Sequence, residues 1–357
     1  MRELYSRKRV LHIVESYGGG VASAIDEYAR SLPEMEHHLL RTIRPGDYSA
    51  ESSKRLFASE SSLSRNPMTA IQQIRGMLRA TEPDIVHAHS SFGGLFTRLA
   101  YVNRKRLRAP LVYTPHGFSF ERRDQNWLQC RFYWAIEWFQ SWNTDVIAAC
   151  SERETQLSSV FHARRPPIYV PNVATGFSSQ SQLRVDRRDS GRRLSLVGQG
   201  RLGPARDPAF FLKVIDELET LGLDFTASWV GAGSEEWERL FREKNVDVTG
   251  WKTRAEALSL VAAADIYLHT AAWDGFPMAV LEAQAVSTTA FVRRIAVFDG
   301  APDNVVFDTP REMSKAIVGF RDSRSIQLQA DAAWASYLAM NTRTVQREQL
   351  LKAYGWD

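Results

Sequence analysis

Short apolar runs alternate with stretches of helical periodicity along the first half of the chain. Residues 9–15 have the pattern of a buried strand, and glycines follow, then apolar residues at helical spacing up to Leu32. The same order recurs, with strand-like runs at 84–88, 110–114, 145–149 and 167–170 and helical stretches at 92–104 and 124–141. Short apolar strands separated by helices are typical of a parallel sheet covered on both faces. The first half therefore predicts a doubly wound α/β domain.

A second series of strands and helices follows a break in this pattern. Residues 172–193 are polar and rich in arginine and aspartate, which indicates a linker. Strand-like runs then lie at 194–198, 224–230, 246–249, 265–269 and 289–293, and helical stretches at 208–221, 234–243, 254–263, 277–285 and 310–320. We predict Rossmann-like domains at residues 1–171 and 194–335, and a final helical segment, 336–357, that packs back toward the first domain.

The length of 357 residues is about twice that of a usual single domain, which agrees with two domains. The two cysteines, Cys130 and Cys150, lack the spacing of a metal site, and we expect a reducing compartment. The sequence has no run of about 18 apolar residues, and its basic amino terminus is not followed by a secretory cleavage site. We therefore expect a cytoplasmic protein.

Positive charge is concentrated in the first half of the chain. Residues 1–170 carry 23 Lys and Arg against 17 Asp and Glu, and the aromatic stretch 118–142 includes Arg122, Arg123 and Arg131. A helix that is apolar on most sides is usually part of a core, but tryptophan beside arginine also suits a membrane interface. The excess of charge suits a phosphate-bearing partner, an anionic membrane or simply a solvated face. Since no nucleic-acid-binding module accompanies it, we discount nucleic acid as a partner.

A glycine-rich loop after the first strand of the second half carries candidate chemistry. Residues 198–203 satisfy the spacing of a dinucleotide-binding loop, and an NAD-dependent oxidoreductase is one interpretation. However, Pro204 and the predicted helix cap Asp207 place the helix start later than that motif requires. Arg201 and Arg206 suggest instead that two guanidinium groups and a helix N-terminus neutralise a diphosphate. The plainer alternative is a pair of surface arginines beside a turn.

Two carboxylates further on form the most informative pattern. Asp274 and Glu282 stand eight positions apart, on either side of a helix start near Pro277. This spacing predicts Asp274 in a loop and Glu282 in the second helical turn, both at the carboxyl ends of the strands, where open α/β sheets bind ligands. Carboxylates accept hydrogen bonds from sugar diols, although a helix-start acid and a solvated glutamate remain the alternative. Gly231 and Gly233 form another turn, which allows either a close approach of a nucleotide or only a tight bend.

The order of these motifs resembles the family 4 retaining glycosyltransferases, of the group 1 type, over nearly the whole chain. The resemblance is carried by Gly-Arg-Leu at 200–202, Gly-x-Gly at 231–233 and an acid, Gly, Phe, Pro and spaced Glu-Ala at 274–283. It implies the GT-B fold, two Rossmann-like domains that face each other across a cleft. It also implies a nucleoside-diphosphate sugar as donor, no other cofactor, and roles for Asp274 at the donor sugar and Glu282 at the ribose.

The first half extends the resemblance. The glycine loop after the first strand matches a loop that approaches the diphosphate or the acceptor, and His116 matches an acceptor- or sugar-contacting residue. The implied catalytic residues are Arg201, Arg206, Asp274 and His116. The implied donor-binding residues are Gly18, Gly19, Gly20, Gly200, Gly231, Gly233, Gly275, Phe276, Pro277, Met278 and Glu282. Since the chain has no Asp-x-Asp motif, we expect no metal.

The resemblance leaves the substrates and the level of activity open. It implies a UDP- or GDP-linked hexose donor and a carbohydrate or lipid-linked acceptor in cell-envelope or exopolysaccharide synthesis, with peripheral contact at the inner face of the membrane. Asp274 stands where the family usually has Glu, and residues 286–289 lack the usual Gly and Pro. A catalytically impaired GT-B binding protein is therefore a further alternative, and a hydrolase or epimerase on the same fold is another.

Overall fold

The computed structural model describes residues 8–42, 56–102, 109–174 and 193–356. The chain divides into two compact units: unit 1 is residues 1–173 with 341–357, and unit 2 is residues 174–340. The boundaries expected from the sequence were 171, 194 and 335, and most of the expected linker, 172–193, lies outside the described residues. Each unit is a parallel sheet flanked by helices, so the predicted doubly wound α/β class is confirmed.

The strands and helices are numbered here in chain order. The described strands are β1 Arg9–Val14, β2 Glu36–Arg41, β3 Ser59–Ser62, β4 Ile85–His89, β5 Leu111–Thr114, β6 Val146–Ala149, β7 Ile168–Tyr169, β8 Leu194–Gln199, β9 Phe225–Val230, β10 Val246–Val248, β11 Ile266–His269, β12 Thr289–Arg293 and β13 Val306–Phe307. The described α-helices are α1 Gly19–Ser31, α2 Pro67–Thr81, α3 Ser90–Tyr101, α4 Trp127–Gln140, α5 Glu152–Ser158, α6 Pro208–Thr220, α7 Glu235–Glu243, α8 Arg254–Ala263, α9 Met278–Ala285, α10 Pro310–Asp322, α11 Arg324–Tyr337 and α12 Arg343–Tyr354.

The sheet of unit 1 has the order β3-β2-β1-β4-β5-β6-β7, with every pair parallel. Side chains alternate between two cores, because successive residues of a strand point to opposite faces. Leu11 packs in one core with Ile74 of α2, and Val10 packs in the other with Tyr28 of α1 and Leu350 of α12. The strand order reverses between β1 and β4, and such a switch point is where doubly wound sheets bind ligands.

The last helix, α12, belongs to unit 1. Leu350 and Tyr354 are buried in the core beside the sheet. Gln346 Nε2 donates to the Pro171 carbonyl at 2.8 Å, and Gln346 Oε1 accepts from the Ser31 hydroxyl at 2.6 Å. A buried amide with partners on two other segments fixes the position of the helix on its own unit.

The sheet of unit 2 repeats the topology with the order β10-β9-β8-β11-β12-β13, again parallel throughout. Its switch point lies between β8 and β11. Helix α6 begins as the sequence predicts: Asp207 is the N-cap, its carboxylate accepts from the Phe210 N–H at 3.2 Å, and Pro208 is the first helical residue. The loop before α6 is therefore long enough to hold residues 200–206 beside the switch point.

Helix α4 contradicts the interpretation that its apolar pattern marks a core helix. Glu137 is the one buried residue of α4, whereas Trp127 and Phe139 are 67% and 76% exposed. The helix is attached through that buried carboxylate, which accepts from Arg98 of α3 at 2.8 Å and from the Tyr113 hydroxyl of β5 at 3.0 Å. The guanidinium also lies 4.1 Å above the Tyr113 ring. The buried polar contacts of Glu137 thus attach an otherwise exposed aromatic helix to unit 1.

Within the described residues, no helix combines the length and apolar character needed to cross a bilayer.

Candidate active site

Two loops meet at the switch point of unit 2. The Arg206 carbonyl accepts from the Thr270 hydroxyl at 2.9 Å, and the Ala272 N–H donates to the Ala205 carbonyl at 2.9 Å. These bonds join the loop after β8 to the loop after β11, across adjacent parallel strands. Residues 68 positions apart in sequence, Arg206 and Asp274, are thereby brought into contact.

Arg206 and Asp274 form an ion pair in which the guanidinium Nη1 donates to Oδ2 of the carboxylate. Burial by itself would raise the pKa of Asp274, but Arg206, His269 and the Gly275 N–H together hold it below its usual value. The same carboxylate raises the pKa of Arg206 against the effect of burial. Both groups are therefore charged at neutral pH, and the pair offers unused N–H donors on one side and carboxylate acceptor capacity on the other.

His269, the last residue of β11, also belongs to this site. From the sequence it was recognised only as the end of a strand. Its Nε2 lies 3.8 Å from Asp274 Oδ2, and its Nδ1 lies 3.4 Å from the Tyr267 hydroxyl. Burial, assisted by Arg206 and opposed by Asp274, lowers the pKa of His269 to about 3. The imidazole is thus neutral and adds no charge. A polar residue that ends an apolar strand was the signal for it.

Glu282 lies on α9 in the second turn, and Asp274 lies in the preceding loop, as their spacing predicts. The Glu282 side chain is buried, and its Oε1 accepts from Arg254 Nε at 3.0 Å. Arg254 begins α8 directly after the capping residue Thr253. Sequence reasoning missed Arg254 because 28 residues separate the partners. Each of the two predicted carboxylates therefore has its own guanidinium.

The two arginines of the glycine-rich loop occupy different environments. Arg206 is paired, whereas Arg201 is exposed and its guanidinium lies 5.1 Å from the Trp251 ring centre. Asp207, next to Arg206, accepts from Arg293 at 2.5 Å in addition to capping α6. The structure thus gives Arg206 a fixed position and Arg201 an accessible one.

The glycines of unit 2 pack against each other. A Cβ on Gly231, which has a φ of 141°, would lie 2.1 Å from the Gly200 carbonyl oxygen, and one on Gly233 would lie 2.4 Å from Leu202 Cβ. A Cβ on Gly200, at φ 123°, would lie 3.0 Å from Arg206 Nε. Neighbouring protein atoms therefore already require glycine at these positions. Contact of these residues with a donor stays a prediction.

The segment between Asp274 and α9 is closely packed. Gly275, Phe276, Pro277 and Met278 are all buried, and the Phe276 ring lies 6.4 Å from that of Phe298. Pro277 precedes the first helical residue and contributes no capping side chain. The Val280 N–H donates to the Pro277 carbonyl at 3.1 Å, which leaves the N–H groups of Met278 and Ala279 at the start of α9 for an anion.

In unit 1 the loop after β1 is open. Gly18 precedes α1, Gly19 has a φ of 54°, and Gly19 and Gly20 are exposed. A Cβ on Gly19 would meet no atom within 4 Å. This loop leaves its backbone free for a ligand, unlike the packed glycines of unit 2.

His116 follows β5 in the left-handed region, with a φ of 53°. Its Nε2 lies 3.2 Å from His89 Nδ1, and the N–H of Gly117 donates to the buried carboxylate of Glu154. Burial lowers the pKa of His116 to about 3 and raises that of Glu154 to about 7. His89 thus holds the His116 ring, and Glu154 holds the backbone of the loop. These contacts offset the cost of a positive φ at a residue other than glycine.

Three buried histidines of unit 1 lie close enough to hold a metal ion: His12, His87 and His89 offer nitrogen atoms within 4.8 Å of one another. However, all six ring nitrogens have hydrogen-bond partners: His12 bonds His37 and His89, His87 bonds Thr114 and Tyr354, and His89 bonds His12 and His116. A metal ion would have to displace these bonds, so the donor set fits a hydrogen-bonded cluster better than a metal site.

Two doubly wound units are the architecture of the GT-B class of glycosyltransferases, and the paired charges of the second unit lie where such sheets bind ligands. Residues 18–172 match the family described as Glycosyltransferase Family 4, and residues 193–321 match the family described as Glycosyl transferases group 1. The two matches together span most of the chain. The protein belongs to the family 4, group 1 glycosyltransferases.

Relatives and solved structures agree with this assignment. An uncharacterized 41.2 kDa protein in the cps region of Klebsiella pneumoniae is 24% identical over 80% of this chain and 81% of its own length. The UDP-Gal:alpha-D-GlcNAc-diphosphoundecaprenol alpha-1,3-galactosyltransferase of Escherichia coli is 22% identical over 64% of this chain and 62% of its own length. The crystal structure of Anabaena Alr3699/HepE in complex with UDP and glucose has a TM-score of 0.75 at 14% identity and covers 98% of this chain and 99% of that one. At this identity the structural match shows the fold alone.

Proposed function

We propose that the protein transfers a hexose from a UDP- or GDP-linked sugar to an acceptor hydroxyl with retention of the anomeric configuration. The observation that carries this proposal is the partly buried ion pair of Arg206 and Asp274 at the switch point of unit 2. Its guanidinium suits a diphosphate and its carboxylate suits the hydroxyls of a sugar. The structural neighbour that holds UDP and glucose favours a UDP-linked donor.

The chemistry follows from where the charge develops. The bond between the anomeric carbon and the diphosphate oxygen breaks, the acceptor oxygen bonds the same carbon from the same face, and the departing phosphate takes the acceptor proton. Arg206 stabilises the charge that builds on the leaving group, and the accessible Arg201 supplies a second cation. Asp274 need not form a covalent intermediate. Since guanidinium groups take the place of a divalent ion in this scheme, we propose metal-independent transfer.

The nucleotide and acceptor contacts complete the proposal. Glu282, oriented by Arg254 at 3.0 Å, accepts hydrogen bonds from the ribose, and the first two N–H groups of α9 bind the diphosphate. In unit 1, the glycine loop 18–20 and His116 contact the acceptor or the transferred sugar.

The exposed aromatic helix supports a lipid-linked acceptor. We define the aromatic surface of α4 as Trp127, Leu128, Phe132, Phe139 and the following Trp142, each at least 60% exposed. Arg123 and Arg131, both exposed, flank it. Tryptophan and arginine together suit the headgroup region of an anionic bilayer. The Escherichia coli relative is named for a diphosphoundecaprenol-linked substrate. We propose cell-envelope or exopolysaccharide synthesis at the cytoplasmic face of the membrane.

A flotation assay with vesicles tests the membrane contact. We expect the protein to float with vesicles that contain anionic lipid and to lose most of that binding when Trp127, Phe132 and Phe139 are all changed to Ser. Leu221→Ser, which alters an exposed apolar residue of unit 2, is the control. Equal flotation of the triple variant and the control would contradict a docking role for α4.

A thermal-shift screen in EDTA tests the donor class. We expect one nucleoside diphosphate and its sugars to raise the melting temperature, and Arg206→Ala and Glu282→Ala to abolish the shift. Arg311→Ala, at an exposed position of α10, is the matched control and should behave as wild type. A shift with NAD alone would favour the oxidoreductase alternative. Nucleotide binding without nucleotide release in the presence of acceptors would favour the impaired GT-B protein, and release of free sugar would favour a hydrolase.

A further inference from the structure

Four histidines form a continuous hydrogen-bonded row across the sheet of unit 1. Four adjacent strands of the sheet supply them: His37 lies on β2, His12 on β1 and His89 on β4, and His116 follows β5. His37 Nδ1 lies 3.0 Å from His12 Nε2, His12 Nδ1 lies 3.0 Å from His89 Nε2, and His89 Nδ1 lies 3.2 Å from His116 Nε2. We call this set the histidine row.

One end of the histidine row decides where every proton lies. His37 Nε2 is 2.9 Å from the Leu32 carbonyl, which can only accept, so His37 carries its proton on Nε2. In a neutral ring Nδ1 is then an acceptor, and His12 must donate from Nε2. The same step repeats: His89 donates from Nε2 to His12, and His116 donates from Nε2 to His89. The row therefore ends with an unprotonated Nδ1 on His116.

This order of protons requires that all four histidine rings are neutral, and their burial keeps them neutral. Burial lowers the pKa of His37 to about 4 and of His116 to about 3, and it lowers the pKa of His12 and His89 in the same direction. The titratable groups that surround the row are His38, His87, Glu34, Glu154, Tyr28, Tyr354 and Cys150. Among them Glu34 favours a charged His37, but the effect of burial exceeds it.

We propose that the histidine row fixes His116 as the Nε2–H tautomer, so that Nδ1 accepts a hydrogen bond from a substrate hydroxyl. His37, His12 and His89 are then positioning residues that act through His116. This inference rests on the proposed function for the identity of the substrate. A neutral ring nitrogen with a free lone pair recognises a hydroxyl donor and offers nothing to a phosphate or a carboxylate. The row thereby selects an uncharged hydroxyl at this point of the substrate.

Two nearly isosteric substitutions at the far end of the row separate this role from a packing role. His37→Asn retains an oxygen acceptor on the atom that corresponds to Nδ1, whereas His37→Leu removes it. With Leu, nothing orders His12, and both tautomers of His89 and His116 become accessible. His87→Leu removes a neighbouring buried imidazole that bonds Thr114 and Tyr354 instead of the row, and it serves as the control for loss of a buried histidine.

The ¹⁵N chemical shifts of the His116 ring report its tautomer directly. We expect a protonated Nε2 in the wild type, in His37→Asn and in His87→Leu, and a mixture in His37→Leu. In a transfer assay, His37→Leu should raise KM about tenfold for the substrate that supplies this hydroxyl, either the acceptor or the donor sugar, and leave KM for the other unchanged, and His37→Asn should restore it. A protonated Nδ1 in the wild type, or equal ¹⁵N spectra for His37→Leu and His37→Asn, would overturn the proposal.

The two readouts also separate this inference from the proposed function. If the ¹⁵N spectra follow the expectation and no sugar is transferred, the tautomer control stands and the proposed activity fails. Addition of Zn²⁺ tests the metal alternative, because binding to His12, His87 and His89 would shift all three rings at once. Stoichiometric Zn²⁺ binding of that kind would overturn the hydrogen-bonded row.

Discussion

The two units place opposite chemistry at the same topological position. At the switch point of unit 1, the His12 and His89 side chains are buried and neutral, because burial lowers the pKa of both. At the switch point of unit 2, Arg206 and Asp274 form an ion pair, and the pKa of Asp274 is held below its usual value. Topology thus fixes where a site lies, while the residues that end the strands decide whether it carries charge.

The glycine loops of the two units differ in how closely other protein atoms pack against them. Gly19 has no atom within 4 Å of a hypothetical Cβ, whereas Gly231 would collide with the carbonyl of Gly200. The glycine loop of unit 1 is open, and that of unit 2 is closed by the protein itself. A glycine motif in sequence therefore does not by itself indicate a ligand contact.

Acidification should separate the two sites most strongly, because unit 1 holds most of the histidines with lowered pKa values. Unfolded histidines gain protons as the pH falls below 6.5, while the buried rings do not, so stability is lost between pH 6.5 and about 4. For His37 alone, a fall of the pKa from 6.5 to about 4 corresponds to about 3 kcal/mol. We expect the protection factors of β1, β2 and β4, measured by hydrogen exchange and corrected for the intrinsic exchange rate at each pH, to fall far more than those of β8 and β11 as the pH is lowered. Unit 2 responds less, through His269 and, at lower pH, through Asp274.

The distribution of histidines sets this expectation. Six histidines of unit 1 have lowered pKa values, and unit 2 contains one histidine, His269. Glu154, with its pKa raised to about 7, and Glu121, whose pKa burial also raises, act in the opposite direction, but they are two groups against six. An equal fall of the protection factors in both sheets would contradict this assignment.

Removal of the paired guanidinium should be the next largest effect. Arg206→Ala leaves the partly buried Asp274 carboxylate without its partner and removes a donor from the leaving group. We expect kcat/KM to fall about 10²- to 10³-fold, and Arg201→Ala, at an exposed position, to cost about tenfold. Initial rates with a saturating acceptor measure both. An equal loss in the two variants would show that the fixed position of Arg206 beside Asp274 does not matter to catalysis.

Glycine substitutions test the difference between the packed loop of unit 2 and the open loop of unit 1. They should have the smallest effect of the changes considered. Gly231→Ala must displace the Gly200 carbonyl and should destabilise unit 2 by about 2–3 kcal/mol. Gly19→Ala meets open space and should cost about 1–2 kcal/mol, from its φ of 54° alone. Denaturant unfolding measures both. A larger loss for Gly19→Ala would reverse the distinction between an open and a closed loop.

The sequence predicted the parallel sheets well, because buried strands with short apolar runs dominate both. Strand β2 was missed because Glu36, His37 and His38 interrupt its apolar pattern. The positions of Asp274 and Glu282 followed from their spacing. Their partners Arg206 and Arg254 lie on other elements, so these pairs appear only once parallel strands bring distant loops together. The sequence left open whether α4 is a core helix or an exposed one, because periodicity cannot show whether a neighbouring element covers a helix.

The anchor of α4 has a consequence for how related proteins diverge. Since α4 is anchored by the buried Glu137, which Arg98 and Tyr113 bind from two other elements, the exposed positions of the helix contribute little to the core. Mutations there are decoupled from folding and from the chemistry of the strand ends. Natural selection can therefore rewrite the outer face of α4 freely, and a chimaera that keeps these three residues should accept the α4 surface of a relative without loss of the fold.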